Sequence, residues 1–262
     1  MKRVVAALLR LAGLVLLTAV ALQLYFLARV ALMTLVDPQS TSFQRSEIWR
    51  LGVDKHAVAW SQEWRPYAQI SDSLKRAVIA SEDAGFADHS GVEWDALERA
   101  WERNQQAESR ADRLREQQSR REPASAPKAA AAQRTRPAQA RLVGGSTITQ
   151  QLAKNLFLAG ERNVLRKAQE FVITVMLETL LGKERILEIY LNNVEWGEGL
   201  FGAQAAARHY FRVDAGSLGA LQAARLAVML PAPKRFEKRP TSPYVMARAA
   251  TIAARMGAVE PP

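Results

Sequence analysis

The sequence predicts a mainly α-helical domain that follows a single transmembrane helix. Three observations predict this fold class. Residues 11–28 carry no charged side chain and can span a bilayer as a helix. After about residue 65, apolar side chains recur at helical spacing. Alternating patterns, which are typical of strands, are scarce. A chain of 262 residues is long enough for one substantial domain but short for two.

The apolar run near the N-terminus is interpreted as a membrane anchor. Lys2, Arg3 and Arg10 precede it, and this positive charge predicts a cytoplasmic N-terminus with the following domain outside the cytoplasm. A cleaved signal peptide is the alternative. The apolar stretch is longer than the usual signal-peptide core of about 7 to 15 residues, and no clean small-x-small cleavage site follows it. The anchor is therefore the favoured interpretation.

The composition divides the chain into segments. The expected organisation is a cytoplasmic N-terminus at 1–10, an anchor at 11–36, a juxtamembrane connector at 37–64 and a domain at 65–258, with an insertion at about 105–141. The connector is assigned because its pattern is mixed and polar. In the domain, Ser71 is expected to cap a first helix, and the stretch GVEWDALERAWERN at 91–104 predicts a second.

The insertion differs sharply from its surroundings. It is rich in Ala, Gln, Arg and Pro and has hardly an apolar residue larger than alanine, so it cannot bury a core and is expected to be flexible. Its arginines could bind nucleic acid, but interleaved aromatic residues are missing and the segment would lie outside the cell. A solvated or lipid-headgroup-contacting insertion is favoured.

The stretch IASEDAGFADHSG at 79–91 places two carboxylates side by side after an apolar run. If the first helix ends near Glu82, its carboxylate lies at the negative end of the helix dipole and next to Asp83. Both influences disfavour ionisation, and a raised pKa suits a general base. A solvated acidic pair at an exposed helix end is the alternative. For His89 a structural hydrogen bond is preferred over proton transfer.

A second segment, GGSTITQQLAKN at 144–155, predicts an amphipathic helix that Ser146 can cap. Ile148, Leu152 and Leu156 recur every four residues and should pack inward. The remaining circumference is polar and consists of Thr147, Gln150, Gln151 and Lys154. This polar face could line a cleft, and a helix N-terminus with a lysine nearby can hold phosphate oxygens. An ordinary amphipathic helix remains the alternative.

A third segment, RNVLRKAQE, opens a helix that Asn163 is expected to cap and Gly182 to end. Its charged side chains are Arg162, Arg166, Lys167 and Glu170. An arginine that precedes a glutamate by four residues is the weaker orientation for a surface ion pair, so the cluster suits a charged ligand. Simple ion pairing is the alternative. Further helices are predicted for KERILEIYLNN, AQAAARHYF, LGALQAARLAVML and SPYVMARAATIAARMGAV.

Charge and composition limit the possible partners. The net charge of +10 favours an anionic partner, which could be nucleic acid, an acidic membrane surface or a phosphorylated substrate. The chain has no cysteine, which excludes disulfides and thiolate metal sites, and its three histidines are scattered. GEGLFG at 197–202 matches a dinucleotide-binding pattern, but it follows a helical segment without a βαβ unit, so dinucleotide binding is not expected.

Taken together, these segments resemble the monofunctional biosynthetic peptidoglycan glycosyltransferases, which polymerise lipid II and belong to the lysozyme-like superfamily. Five stretches carry the resemblance in order: EDAGFADHSG, GGSTITQQLAKN, RKAQE, KERILEIYLNNVEWGEGLFGAQAAARHYF and LQAARLAVMLPAPKRF. The resemblance covers roughly residues 60–258 apart from the insertion. It implies a lysozyme-like glycosyltransferase domain that inverts the sugar linkage during transfer of the undecaprenyl-pyrophosphate-linked chain to the 4-hydroxyl of lipid II.

The resemblance also implies roles for individual residues. Glu82 would be the general base for the acceptor hydroxyl, and Glu170 would assist at the donor side. The pyrophosphate leaving group would be neutralised by Lys154, Arg162, Arg166 and Lys167. Other substrate-binding positions would be Asp83, Phe86, Gln150 and Gln151. His89, Gly91, Gly144 and Gly145 would be structural. One departure is Val143, which precedes the double glycine where the family usually has arginine.

The implied cofactor is a divalent cation, Mg²⁺ or Mn²⁺, although no ligand cluster in the sequence indicates it. No organic cofactor is expected. The implied partners are lipid II, the growing glycan strand, membrane lipids and proteins of cell-wall synthesis or division, but not nucleic acid. The implied location is the bacterial inner membrane with a periplasmic catalytic domain. The alternatives are a lysozyme-like glycan hydrolase and a non-catalytic scaffold of the cell-wall synthesis complex.

Overall fold

The computed structural model describes residues 2–56, 58–94, 98, 102, 105–106, 109, 146–158 and 163–262. The chain forms two compact units. The first comprises Met1–Gly91 and Thr147–Pro262, and the second comprises Val92–Ser146. In the second unit, residues 94, 98 and 102 are helical, as the sequence predicts, and so are 105, 106 and 109. Most of the insertion predicted at 105–141 lies outside the described residues.

The first unit is built almost entirely from helices. Those described are α1 (Lys2–Leu32), α2 (Ser42–Asp54), α3 (Asp72–Glu82), α4 (Ile148–Phe157), α5 (Val164–Leu180), α6 (Lys183–Asn193), α7 (Ala203–Phe211), α8 (Ala220–Met229), α9 (Pro233–Phe236) and α10 (Pro243–Arg255). Three short strands, β1 (Ser61–Gln62), β2 (Glu195–Gly197) and β3 (Leu200–Phe201), form a sheet in the order β1-β3-β2. The mainly helical prediction is confirmed.

The predicted helix ends are partly right. Ser71 and Asn163 are N-caps whose side chains accept backbone hydrogen bonds, as expected. The predicted cap Ser146 is wrong, because Thr147 caps α4 and forms a reciprocal capping box with the third residue of the helix. The predicted end at Gly182 is also wrong: Leu181 closes α5, and Gly182 is the N-cap of α6.

Helix α1 joins the membrane anchor to the first unit. Among the described residues, it is the helix long and apolar enough to cross a membrane. One face of its last third packs inward: Phe26 and Val30, together with Met33 just after the helix, are buried in the core of the unit. The side chains of Gln23 and Gln169 also exchange hydrogen bonds of 2.8 and 2.9 Å, which link α1 to α5. The anchor therefore continues into the packed domain.

The segment expected to be only a connector contains α2. Thr41 caps this helix, and Leu51 is buried against the rest of the unit. The sequence pattern missed the helix because its buried residues include the polar side chains Gln44 and Glu47, so apolar periodicity is weak. Helix α2 packs against α4 and contributes to the site described below.

The core surrounds α3, which packs against α8 and α10, while α4 packs against α5 and α6. Strands β2 and β3 form a hairpin that contains most of the GEGLFG stretch, and β1 pairs with β3 in parallel. Gly199 lies in the hairpin turn with φ of +70°, and a Cβ there would meet the carbonyl oxygen of Ala59 at 1.9 Å. A tight turn thus accounts for this glycine.

Candidate active site

Glu82 is the last residue of α3 and is held by a hydrogen-bonded chain. The side-chain amide of Gln151 donates to Glu82 Oε2 at 3.0 Å. The hydroxyl of Tyr190, which is fully buried on α6, donates to Gln151 Oε1 at 3.0 Å. Three helices thus fix the orientation of this carboxylate.

Burial raises the pKa of Glu82 above its ordinary value, and the negative charge of Asp83 acts in the same direction. The hydrogen bond from Gln151 and the charge of Lys154 partly oppose this shift. The direction is the one expected from the sequence, but its main cause is burial, which local sequence does not determine. A carboxylate with a raised pKa is a stronger base at neutral pH.

Asp83 connects the turn after α3 to the start of α4. One oxygen, Oδ1, lies 2.8 Å from His89 Nε2, and the other accepts the backbone N–H of Ile148 at 2.9 Å. The hydrogen bond to Asp83 raises the pKa of His89. Both oxygens are engaged within the protein, so this geometry favours a positioning role for Asp83 over substrate contact, and a structural role for His89.

The turn that ends at Gly91 is held by the buried ring of Phe86 and by Lys183. Phe86 has no exposed surface, and Lys183 Nζ lies 4.6 Å from the centre of its ring. Lys183 also donates to the carbonyl of His89 at 2.6 Å and to Glu178 at 2.9 Å. Because Phe86 is completely buried, this geometry favours a role in shaping the turn over the expected substrate contact.

The polar side chains at the start of α4 have two roles: Thr147 and Gln150 form hydrogen bonds within the protein, whereas Gln151 and Lys154 face a pocket. The Thr147 hydroxyl donates to the carbonyl of Gly91 at 2.7 Å and accepts the backbone N–H of Gln150 at 3.2 Å. Gln150 is buried, and its side-chain oxygen accepts the backbone N–H of Thr147. This geometry favours a structural role for Gln150 over the expected substrate contact. Gln151 and Lys154, one and two turns along, face a pocket.

Glu170 is a buried carboxylate with two cationic partners. Arg166 donates from Nη1 to Glu170 Oε2 at 2.9 Å, and Lys167 donates to the other oxygen. The side chain of Glu170 is 4% exposed. Arg166 retains a buried Nε–H without a hydrogen-bond partner among the described residues. The ion pairs left open by the sequence therefore form, and they hold the Arg166 guanidinium at the pocket.

These elements enclose a pocket of about 290 Å³, called the main pocket here. Its walls come from α2, α4, α5, the start of β2 and the segment around α9. The lining residues are Phe43, Gln151, Lys154, Asn155, Leu158, Arg166, Val194, Glu195, Leu230 and Pro233. Glu82 adjoins the main pocket through Gln151. The arrangement combines a half-buried base with cations, which suits proton abstraction beside an anionic leaving group.

The comparisons with known proteins agree with this geometry. A family model described as Transglycosylase matches residues 53–113 and 123–257. The chain belongs to the transglycosylase family. A biosynthetic peptidoglycan transglycosylase of Burkholderia thailandensis is 51% identical over 243 residues, which cover 92% of this chain and 82% of the relative. The proteins of the same name from Burkholderia pseudomallei and Paraburkholderia xenovorans are 50% and 48% identical over equal lengths, with 82% and 88% of each relative covered.

The expected family and the lysozyme-like fold of its domain are thereby confirmed for this transglycosylase. The structure brings Glu82, Gln151, Lys154 and Arg166 together around one pocket. Three of the residues expected at the site, Arg162, Gly144 and Gly145, lie outside the described residues.

Sequence reasoning missed several residues of the transglycosylase site. Tyr190 and Lys183 lie in the KERILEIYLNN stretch that carried the family resemblance, but nothing in their spacing indicated a role. Glu195 and Phe43 line the main pocket and were also missed. Their contacts join segments far apart in the chain, so no local signal could have found them.

Proposed function

We propose that this transglycosylase polymerises lipid II into glycan strands. The supporting observation is the joint placement of Glu82 and Arg166: a half-buried base adjoins, through Gln151, a pocket lined by cations. The relatives are named biosynthetic peptidoglycan transglycosylases, which agrees with this substrate class. A protein that only bound glycans would need no base beside a cationic pocket.

In the proposed reaction, the Glu82 carboxylate removes the proton from the acceptor 4-hydroxyl. The acceptor oxygen attacks the anomeric carbon of the donor sugar from the face opposite the pyrophosphate. The bond between that carbon and the pyrophosphate oxygen breaks, and the leaving group keeps the electron pair. Inversion follows from this in-line geometry. The raised pKa of Glu82 favours proton transfer at neutral pH.

Cations stabilise the charge that develops on the leaving pyrophosphate. Lys154 and Arg166 line the main pocket, and the buried Arg166 Nε–H has no protein acceptor among the described residues. Glu170 orients Arg166 and Lys167 through its two oxygens. We therefore propose that Glu170 acts at the donor side by positioning cations. Arg162 would add to this group, as the family resemblance implies.

A divalent cation would share the pyrophosphate charge, and this remains a prediction. The carboxylate of Glu170 does not fit as its ligand, because both of its oxygens accept hydrogen bonds from protein donors. None of the proposed steps depends on the cation. Binding by the substrate phosphates themselves is the arrangement that requires no protein carboxylate.

We also propose that the catalytic domain faces the periplasm. Helix α1 fits a single-pass membrane anchor by length and composition. The basic residues Lys2, Arg3 and Arg10 before its apolar stretch favour a cytoplasmic N-terminus in the inner membrane. Lipid II, the growing strand and membrane lipids are then the immediate partners. Proteins of cell-wall synthesis or division remain predicted partners.

A glycan hydrolase is less well supported. Such enzymes use two carboxyl groups on either side of the scissile bond, one of which must be protonated. Both oxygens of Glu170 are instead engaged by Arg166 and Lys167 within the protein. The observed geometry therefore favours departure of a phosphate over protonation of a sugar leaving group.

The test is polymer formation from purified lipid II in detergent with Mg²⁺. We compare the wild type, Glu82→Gln and Asp88→Asn, a control that removes a carboxylate from an exposed position in the same turn. Polymer from the wild type and the control, with a loss of at least about 100-fold in Glu82→Gln, supports the proposal. Cleavage of preformed glycan would support the hydrolase, and no product from folded wild-type protein would support the scaffold.

A further inference from the structure

Glu195 is a buried carboxylate that the proposed reaction does not use. It opens β2, follows Val194 and lines the main pocket together with Lys154 and Arg166. Its side chain is only 7% exposed. A buried carboxylate normally has several hydrogen-bond donors, because its desolvation is otherwise unfavourable. The surroundings of Glu195 do not meet this requirement.

Among the described residues, the cation that forms an ion pair with Glu195 also binds another carboxylate. Lys234 Nζ lies 3.5 Å from Glu195 Oε1, but it donates a shorter hydrogen bond to Glu47. Glu47 also accepts two hydrogen bonds from Arg50, at 2.9 and 2.8 Å. The carboxylate of Glu237 instead accepts the backbone N–H of Glu198 at 2.6 Å. Glu47 and Glu237 are thus satisfied, whereas Glu195 Oε1 is buried and lacks a hydrogen bond from any described residue.

The two carboxylates on either side of Lys234 consequently differ in acidity. Burial opposes ionisation of Glu47, but Arg50 and Lys234 hold its pKa below the ordinary value. For Glu195, burial raises the pKa to about 7 despite the charge of Lys234, and the carboxylates of Glu47 and Glu237 add to the shift. Of the carboxylates Glu47, Glu195 and Glu237, Glu195 is therefore the one that can accept a further hydrogen bond.

We propose that Glu195 binds a hydroxyl or amide N–H group of the sugar that occupies the main pocket, and that Lys234 positions its carboxyl group. The inference rests on the proposed function. An anionic phosphate is the less suitable partner because the ionised carboxylate repels it, whereas Lys154 and Arg166 offer it cations in the same pocket. A neutral donor group supplies the missing hydrogen bond, and the N-acetylated sugars of lipid II carry several.

The test compares Glu195→Leu, Glu195→Gln and the control Glu198→Gln. Leucine removes all hydrogen bonding at similar volume, and glutamine keeps an acceptor oxygen but cannot ionise. Glu198 is a more exposed carboxylate, which pairs with Arg50 outside the main pocket. We expect the KM for lipid II to rise about tenfold in Glu195→Leu and about two- to threefold in Glu195→Gln, with kcat changed less than KM. Glu198→Gln should leave KM unchanged.

The pH dependence gives a second readout. As the ionised carboxylate is the better acceptor, the wild-type KM should fall as pH rises through about 7, and this step should be absent in Glu195→Gln. Other charged groups around Glu195 are common to both proteins, so the difference between the two profiles isolates its contribution. These groups are Glu47, Arg50, Lys154, Arg166, Lys234, Glu237 and Glu198.

Thermal unfolding separates a binding role from a structural one. A folded-state pKa near 7, above the ordinary value of 4.5, means that the native state loses stability as pH rises from 4.5 through 7. Glu195→Gln should therefore raise the unfolding midpoint at pH 8 by about 2 to 4 °C and change it less at pH 5. A residue kept for structure would instead lower the midpoint at both pH values.

The proposed function and this inference can fail separately. Wild-type protein that makes no polymer contradicts the proposed function, and direct binding of lipid II in detergent then tests Glu195 alone. If Glu195→Leu binds or uses lipid II within about twofold of the wild type, the inference is overturned. If leucine prevents folding, the KM and pH profile of Glu195→Gln decide, and a wild-type profile there contradicts the inference.

Discussion

Gln151 donates a hydrogen bond of 3.0 Å from its side-chain amide to the carboxylate of Glu82. The two residues are 69 positions apart in the chain, and the buried hydroxyl of Tyr190 fixes the amide from its other side. These two hydrogen bonds determine where the carboxylate of Glu82 points and how readily it ionises, since the Gln151 hydrogen bond lowers a pKa that burial raises.

Replacement of Gln151 by leucine should reduce kcat and move the acidic limb of the pH–rate profile to higher pH. The shift follows because removal of the hydrogen bond lets burial raise the pKa of Glu82 further. We expect kcat at pH 7 to fall about tenfold or more. The measurement is polymerisation of lipid II between pH 5 and 9.

Tyr190→Phe is the matched control for that change. It keeps the ring in the core but frees the Gln151 amide oxygen, so its effect on kcat should be in the same direction and smaller. An unchanged acidic limb in Gln151→Leu would show that the hydrogen bond does not govern ionisation of Glu82.

The contact between Asp83 and His89 should stabilise the protein most at low pH. The pKa of His89 is raised above its ordinary value of 6.5, so the ion pair contributes fully below pH 6.5 and is lost as pH rises through the folded-state pKa. His89→Gln should cost about 1 kcal/mol at pH 6, or about 2 to 4 °C in the unfolding midpoint, and less at pH 9. His209, which is exposed, provides the control His209→Gln. Equal losses at both pH values would contradict the prediction.

Gly91 should tolerate no side chain. Its φ is +83°, and a Cβ would meet Thr174 Cγ2 at 2.7 Å and Glu178 Cγ at 2.8 Å. Gly91→Ala is expected to destabilise the protein by about 2 kcal/mol or more and to displace the turn next to Glu82. Gly85→Ala in the same turn is the control, because its nearest neighbouring atom lies at 3.8 Å. Thermal unfolding of both variants tests this, and equal midpoints would contradict it.

The start of α5 should contact the membrane. Val164 and Leu165 are 85% and 83% exposed, on a helix that is hydrogen-bonded to α1 through Gln169. Leu165→Ser should lower polymerisation in lipid vesicles about two- to fivefold and leave activity in detergent unchanged, because only the vesicle offers a surface for the apolar side chain. Leu221→Ser, at an exposed position of α8, is the control and should change neither activity. Equal loss in both media would point to a folding defect.

Much of the helical architecture could be predicted from the sequence. The apolar run after Arg10 indicates a membrane helix, and the caps Ser71 and Asn163 are correctly predicted because capping here joins residues two or three positions apart. The errors have equally local causes. Thr147 displaces Ser146 as the cap through its capping box, and α2 was missed because its buried residues are partly polar.

The sequence by itself determined the anchor, the periodic helices and the ordered motifs that identify the family, because these are properties of near neighbours along the chain. Only the tertiary structure decided that Glu195 shares Lys234 with Glu47. Burial of Glu195 and its competition with Glu47 for Lys234 both arise when α2, β2 and α9 pack together. Since Glu47 and Lys234 are 187 positions apart, no local pattern encodes their contact.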